Sequence, residues 1–167
     1  MRRLLPVLAS LLVAVATLAA CDPVHQDATA ALGGEAAGVR KGPLHRPGQP
    51  CIVCHDGAIG NPPQFSVAGT ILQTDVGPSP AENAAVSLTD SAGKSFTATT
   101  KGAGNFYVTP TEFTPTYPMK VAVTYAGVTV KMTSVVGRDG SCANCHADPA
   151  GPTSAGHVYI PANGVAP

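Results

Sequence analysis

Apolar and polar positions fall into three regimes along the chain. Residues Leu4 to Ala20 are almost unbroken apolar and follow Met1-Arg2-Arg3, the charged-then-apolar layout of a secretory signal. The run is shorter than the roughly 20 residues an ordinary transmembrane helix needs. From Asp22 to about Gln49 neither a helical stripe nor an alternation is present, and the Ala-, Gly- and Pro-rich composition predicts a tether. From about Ser66 to Val136 the period becomes two, with β-branched residues between Gly and Pro breaks. The predicted strands are Val67 to Leu72, Ala85 to Thr89, Ser95 to Thr100, Asn105 to Val108, Met119 to Tyr125 and Val128 to Val135. Asp90-Ser91-Ala92-Gly93 and Ala126-Gly127 read as hairpin turns, because Gly admits the positive φ that tight turns require. The expected fold is mainly β: a small antiparallel sandwich flanked by irregular, loop-rich segments.

Composition narrows the picture. With 18 Gly and 16 Pro in 167 residues the backbone is punctuated too often for a long helical bundle. Charged residues are 12%, ten basic against ten acidic, so the chain lacks the basic footprint of a nucleic-acid binder. No Trp and 5% aromatics leave enough apolar mass for one modest core.

The five cysteines carry the chemistry. Leu18-Ala19-Ala20-Cys21 resembles the lipobox of bacterial lipoproteins, in which the Cys takes a diacylglyceryl group and becomes the first residue of the mature chain. That resemblance implies an envelope protein, anchored by lipid at Cys21 to a membrane facing the periplasm or the exterior. The other four fall as Cys51-Ile-Val-Cys54-His55 and Cys142-Ala-Asn-Cys145-His146. Both are CxxCH, and both resemble the attachment motif of c-type cytochromes. The spacing has a reason: two thiols three positions apart on one turn can meet two vinyl groups of a porphyrin, and the next residue projects toward its centre. The resemblance implies two haem c groups, thioether-bound at Cys51, Cys54, Cys142 and Cys145, with His55 and His146 as proximal iron ligands. Four thiolates could instead form a zinc site, or each pair a disulfide, but neither explains a His directly after each pair.

Two irons have two further axial positions. His45 lies six residues before Cys51, and His157 eleven after His146, each in a Pro- or Gly-rich loop that could fold back over the adjacent haem. They are the expected distal ligands, giving bis-His haems. Met119 and Met132 are the alternatives, although both sit in alternating segments where Met is more often core filler. His25 falls in the tether and reads as a solvated residue.

Between the two motifs, Val67-Ala68-Gly69-Thr70-Ile71, Ala85-Val86-Ser87-Leu88-Thr89-Asp90 with Gly93 and Lys94, and Thr99-Thr100 leading to Gly104-Asn105-Phe106-Tyr107 resemble carboxypeptidase-regulatory-like, transthyretin-type modules. Such Ig- or transthyretin-like sandwiches are structural or adhesive and bring no catalytic residues. The organisation read from the sequence is a signal peptide over residues 1–20, a lipid-anchored tether over 21–44, a first haem segment over 45–65, the sandwich over 66–136 and a second haem segment over 137–167. The expected function is one-electron transfer by a membrane-anchored dihaem cytochrome, not an enzyme, with redox-protein donor and acceptor. An odd strand count would put the haems at opposite poles and allow self-association through the haem ends. Six strands favour the same pole. The alternatives are a dihaem enzyme such as a peroxidase, which needs an open iron position, and a cofactor-free or zinc-binding sandwich lipoprotein.

Overall fold

In a computed structural model, the structure describes residues 23–35, 42–57, 63–77 and 79–160. Residues 1–20 and Cys21, with the signal and lipidation expected there, lie outside this set. The chain divides into two compact units, 1–33 and 34–167. In the first, the segment read as a tether contains a nine-residue helix, α1 (Pro23–Ala31). The correction has a local cause. Ala28, Ala30 and Ala31 are strong helix formers, Pro23 is tolerated in the first turn, and Gly33 at φ 68 ends the helix. His25 lies on α1.

The second unit is mainly β. Its strands are β1 (Val67–Leu72), β2 (Ala85–Thr89), β3 (Ser95–Thr99), β4 (Asn105–Val108), β5 (Lys120–Tyr125), β6 (Val128–Lys131) and β7 (Val158–Tyr159). They form a three-stranded sheet in the order β4-β1-β7 and a four-stranded sheet in the order β3-β2-β5-β6. The second sheet is antiparallel throughout, with Val86 opposite Ala98 on one side and Val123 on the other. The first departs from the expected antiparallel pattern at β7, which pairs parallel to β1 through Ile71 with Val158 and Leu72 with Tyr159. The inner faces share one core that includes Val67, Ile71, Val86, Leu88, Phe106, Val108, Phe113 and Ile160.

Strand β1 organises the molecule. β2 alternates buried and half-buried positions as a strand with one solvated face should, but β1 is buried from Val67 through Ile71. Val67 and Ile71 face the core, and by alternation Ala68 and Thr70 face the other way. The turns that carry the two CxxCH motifs both pack against β1. The Gly48 amide donates to the Thr70 hydroxyl at 2.7 Å, and the Ala68 amide donates to the Gly140 carbonyl at 2.9 Å. The two motifs therefore meet on one strand, β1, with six of the seven strands lying between them along the chain.

Candidate functional site

Each CxxCH folds as a single 3-10 turn, η1 (Cys51–Val53) and η2 (Cys142–Asn144). The two turns share one hydrogen-bond pattern. In the first, the amides of Cys54 and His55 donate to the Cys51 carbonyl at 3.2 and 3.0 Å. In the second, the amides of Cys145 and His146 donate to the Cys142 carbonyl at 3.1 and 2.9 Å. Short-range bonding of this kind brings both sulfurs of a motif onto one turn and carries the following His beyond it. Cys51, Cys54, Cys142 and Cys145 are free thiols.

Both motif histidines are anchored alike. His55 Nδ1 lies 2.7 Å from the Pro63 carbonyl and His146 Nδ1 lies 3.0 Å from the Gly156 carbonyl. A carbonyl only accepts, so Nδ1 carries the proton in each ring and Nε2 keeps its lone pair. Metal-bound histidines use this arrangement, in which a backbone acceptor on one nitrogen fixes the tautomer and aims the other. Loop closure supplies the acceptors: Phe65 N–H donates to the His55 carbonyl at 2.8 Å, and Ala155 N–H donates to the Cys145 carbonyl at 2.9 Å.

At the first motif the structure brings His45 and His55 together. Their ring centres are 6.0 Å apart with 27° between the planes. A metal–imidazole bond of about 2.0 Å, with the ring centre roughly 1 Å beyond the nitrogen, puts two imidazoles on opposite sides of one ion about 6 Å apart. The centre-to-centre spacing equals that figure, and the two rings lie nearly parallel and stacked. The His45 ring is held through Nδ1 by the Gly42 backbone, and its loop is tied to the sheet by Asn105, whose Nδ2 donates to the His45 carbonyl at 3.0 Å. Asn105 in turn accepts from the Thr70 hydroxyl at 2.7 Å. On its other side His55 stacks on Phe65 at 4.2 Å, and Phe65 on Tyr107 at 4.7 Å.

The second motif opens on a cavity of about 610 Å³, whose walls include Cys142, Cys145, His146, Met119, Met132 and Val130. The volume suits a cofactor, since small-molecule sites run from roughly 300 to 1,000 Å³ and are mostly apolar. His157 also lines it, but its ring is engaged. Its Nδ1 lies 2.8 Å from each Asp148 carboxylate oxygen and its Nε2 lies 3.0 Å from the Thr74 carbonyl. Asp148 and Thr74 offer only acceptors, so both nitrogens of His157 donate in this structure and its ring is not presented as a free ligand. Burial lowers its pKa, yet the Asp148 hydrogen bond and charge and the Thr74 carbonyl outweigh burial and raise it overall.

Burial pushes the Cys142 thiol up to about 12, with the nearby Cys51 thiol adding to the shift, and burial also raises Cys51. Such sulfurs stay protonated at neutral pH. Among the described residues no three His, Cys, Asp or Glu side chains are grouped as a metal ion would need. Nor, among them, is any helix long and apolar enough to cross a membrane.

Close packing explains one shape of the site. A Cβ on Gly69 of β1 would lie 2.8 Å from both Cβ and Sγ of Cys142 and 3.0 Å from Phe106 Cε1, so only glycine lets η2 approach the strand. The acceptor carbonyls of Pro63 and Gly156, the Phe65–Tyr107 stack and the Asp148 partner of His157 are features the sequence reading missed. Only Phe65, an aromatic ten residues after a candidate ligand, left a signal there. Comparison with protein-family models, curated proteins and solved structures finds no match to this chain.

Proposed function

We propose that this chain is a membrane-anchored dihaem c-type cytochrome that passes electrons one at a time outside the cytoplasm, between redox-protein partners. The observation that carries this reading is the repetition of one local structure. Twice, a 3-10 turn presents two thiols and then a histidine whose Nδ1–H is given to a backbone carbonyl. One such turn is a common local shape, but two copies that use every described cysteine and the same tautomer point to the same ligand twice.

Cys51, Cys54, Cys142 and Cys145 would hold the two haems, each thiol S–H adding across a vinyl C=C so that sulfur and hydrogen both end on carbon. His55 and His146 would be the proximal ligands, and His45 the distal ligand of the first haem. Bound haem supplies an iron couple that gains and loses one electron. The protein's part is to fix the ligands and exclude water. His55 is buried, the Phe65 ring covers it, and the Pro63 carbonyl holds its orientation when the charge at the site changes. Because both motifs pack on β1, exchange between the two sites within one molecule is favoured over a head-to-tail chain of copies. Lipid at Cys21 would hold the protein at a membrane face, with the 21–44 segment as a spacer.

The test is expression with its own signal in a host with cytochrome maturation machinery. The expected product shows a Soret band and a mass raised by two haems. A second reading, a dihaem enzyme such as a peroxidase, is favoured by one observation: His157, paired with the exposed Asp148, lines the same cavity as His146 and could serve as an acid-base group over an open iron. It requires a high-spin second haem and turnover of peroxide.

A further inference from the structure

The two sites differ in what faces the proximal histidine. At the first, a second imidazole stands 6.0 Å away, centre to centre. At the second, the nearest candidate by sequence, His157, gives both ring nitrogens to Asp148 and Thr74. Two thioether sulfurs share the cavity with His146, since Met119 and Met132 both line it, alongside Lys131 and Tyr159.

We infer that Met132 is the sixth ligand of the second haem, so the protein carries one bis-His haem and one His/Met haem of unequal potential. This deepens the dihaem reading and rests on it. Met132 is favoured over Met119 by place and packing. Met119 is 1% exposed, locked in the core, and its backbone is bridged in both directions to Val136. Met132 is half-buried and lies one residue beyond β6, where pairing with β5 ends as its amide donates to the Val121 carbonyl at 3.0 Å. By alternation it shares a face with Val128 and Val130, and Val130 also lines the cavity. An unbranched thioether at the end of a strand can swing toward a metal with little backbone change. His157 would first have to give up a hydrogen bond and a proton. A soft sulfur ligand favours the reduced iron, so the second haem would have the higher potential.

The experiment uses the full-length haem-loaded protein as wild type and as M132L, M119L and H157N. Intact mass counts haems, and the oxidised spectrum is read for the far-red sulfur-to-iron charge-transfer band. The expected wild type carries two haems, shows that band, and titrates in two resolved redox waves. M132L keeps both haems, loses the band and lowers the upper wave, while M119L and H157N keep the band. Leu preserves the apolar volume of Met, and the unchanged spectrum of the first haem serves as the folding control. Two haems with no sulfur band in the wild type would overturn the inference and leave the dihaem reading standing. Loss of the band in M119L and not in M132L would overturn it as well, by giving the sulfur to Met119. A wild-type mass with fewer than two haems would instead sink the dihaem reading.

Discussion

The side chains that matter most are His55 and His146, and what fixes them is a carbonyl. Each Nδ1–H is spent on backbone oxygen, at Pro63 or Gly156, which leaves the Nε2 lone pair available as a ligand. Replacing either histidine with Ala is expected to remove one low-spin haem signal and leave the other, as read by EPR of the oxidised protein. The cysteines and their histidines were legible in the sequence because CxxCH is a spacing of distinctive residues. The acceptor carbonyls were not, because every residue has one and only the fold of the following loop decides which arrives. His157 shows the same limit, since its distance from His146 along the chain said nothing of Asp148 and Thr74 closing on its ring. Gly69→Ala tests the packing of the second turn. Its new Cβ would overlap Cys142, so the apoprotein should lose about 1–3 kcal/mol of stability in urea unfolding. The loaded protein should carry less haem at the second motif.

At the scale of elements, alternation was a good guide. β1, β2 and β4 match their predicted limits, β3 ends one residue early, β5 begins at Lys120, and β6 stops at Lys131 and not at Val135. β7 was missed because two residues carry no period, and its pairing comes from a strand more than 80 positions away. The Ala126-Gly127 turn between β5 and β6 has φ of 49° and 83°, the two positive values of a type I′ hairpin. Alanine is strained there and Asn is not, so Ala126→Asn should stabilise the protein by about 1 kcal/mol in thermal or urea unfolding. In the β2–β3 turn, Asp90 accepts from the Thr116 and Lys94 amides at 3.0 and 2.8 Å. The Thr116 amide, against the opposing effect of burial and with the Lys94 amide behind it, holds its carboxyl below the ordinary range. A carboxyl depressed in the folded state contributes stability above its unfolded pKa and loses it as pH falls through the folded value. The wild type should therefore lose more unfolding midpoint than Asp90→Asn as pH drops from neutral into the acid range.

For the molecule as a whole, the sandwich and the two CxxCH segments meet at β1. The core of Val86, Leu88, Phe106, Phe113 and Val108 comes from the sandwich and is completed by Ile160 from the C-terminal segment, so polypeptide made without haem and without residues 1–20 is expected to unfold cooperatively and show β-type circular dichroism. The layout of a sandwich between two CxxCH motifs was readable from the order of periods and cysteines. Their convergence on one strand was not, because it depends on which strand each terminal segment chooses to cover. The central claim is that two iron porphyrins are bonded to this chain at its two CxxCH turns. Its most direct test is the intact mass of protein matured in a cytochrome-competent host, followed by digestion into haem peptides. The account predicts two haems, one on the peptide with Cys51 and Cys54 and one on the peptide with Cys142 and Cys145; colourless protein with all four thiols unmodified would contradict it.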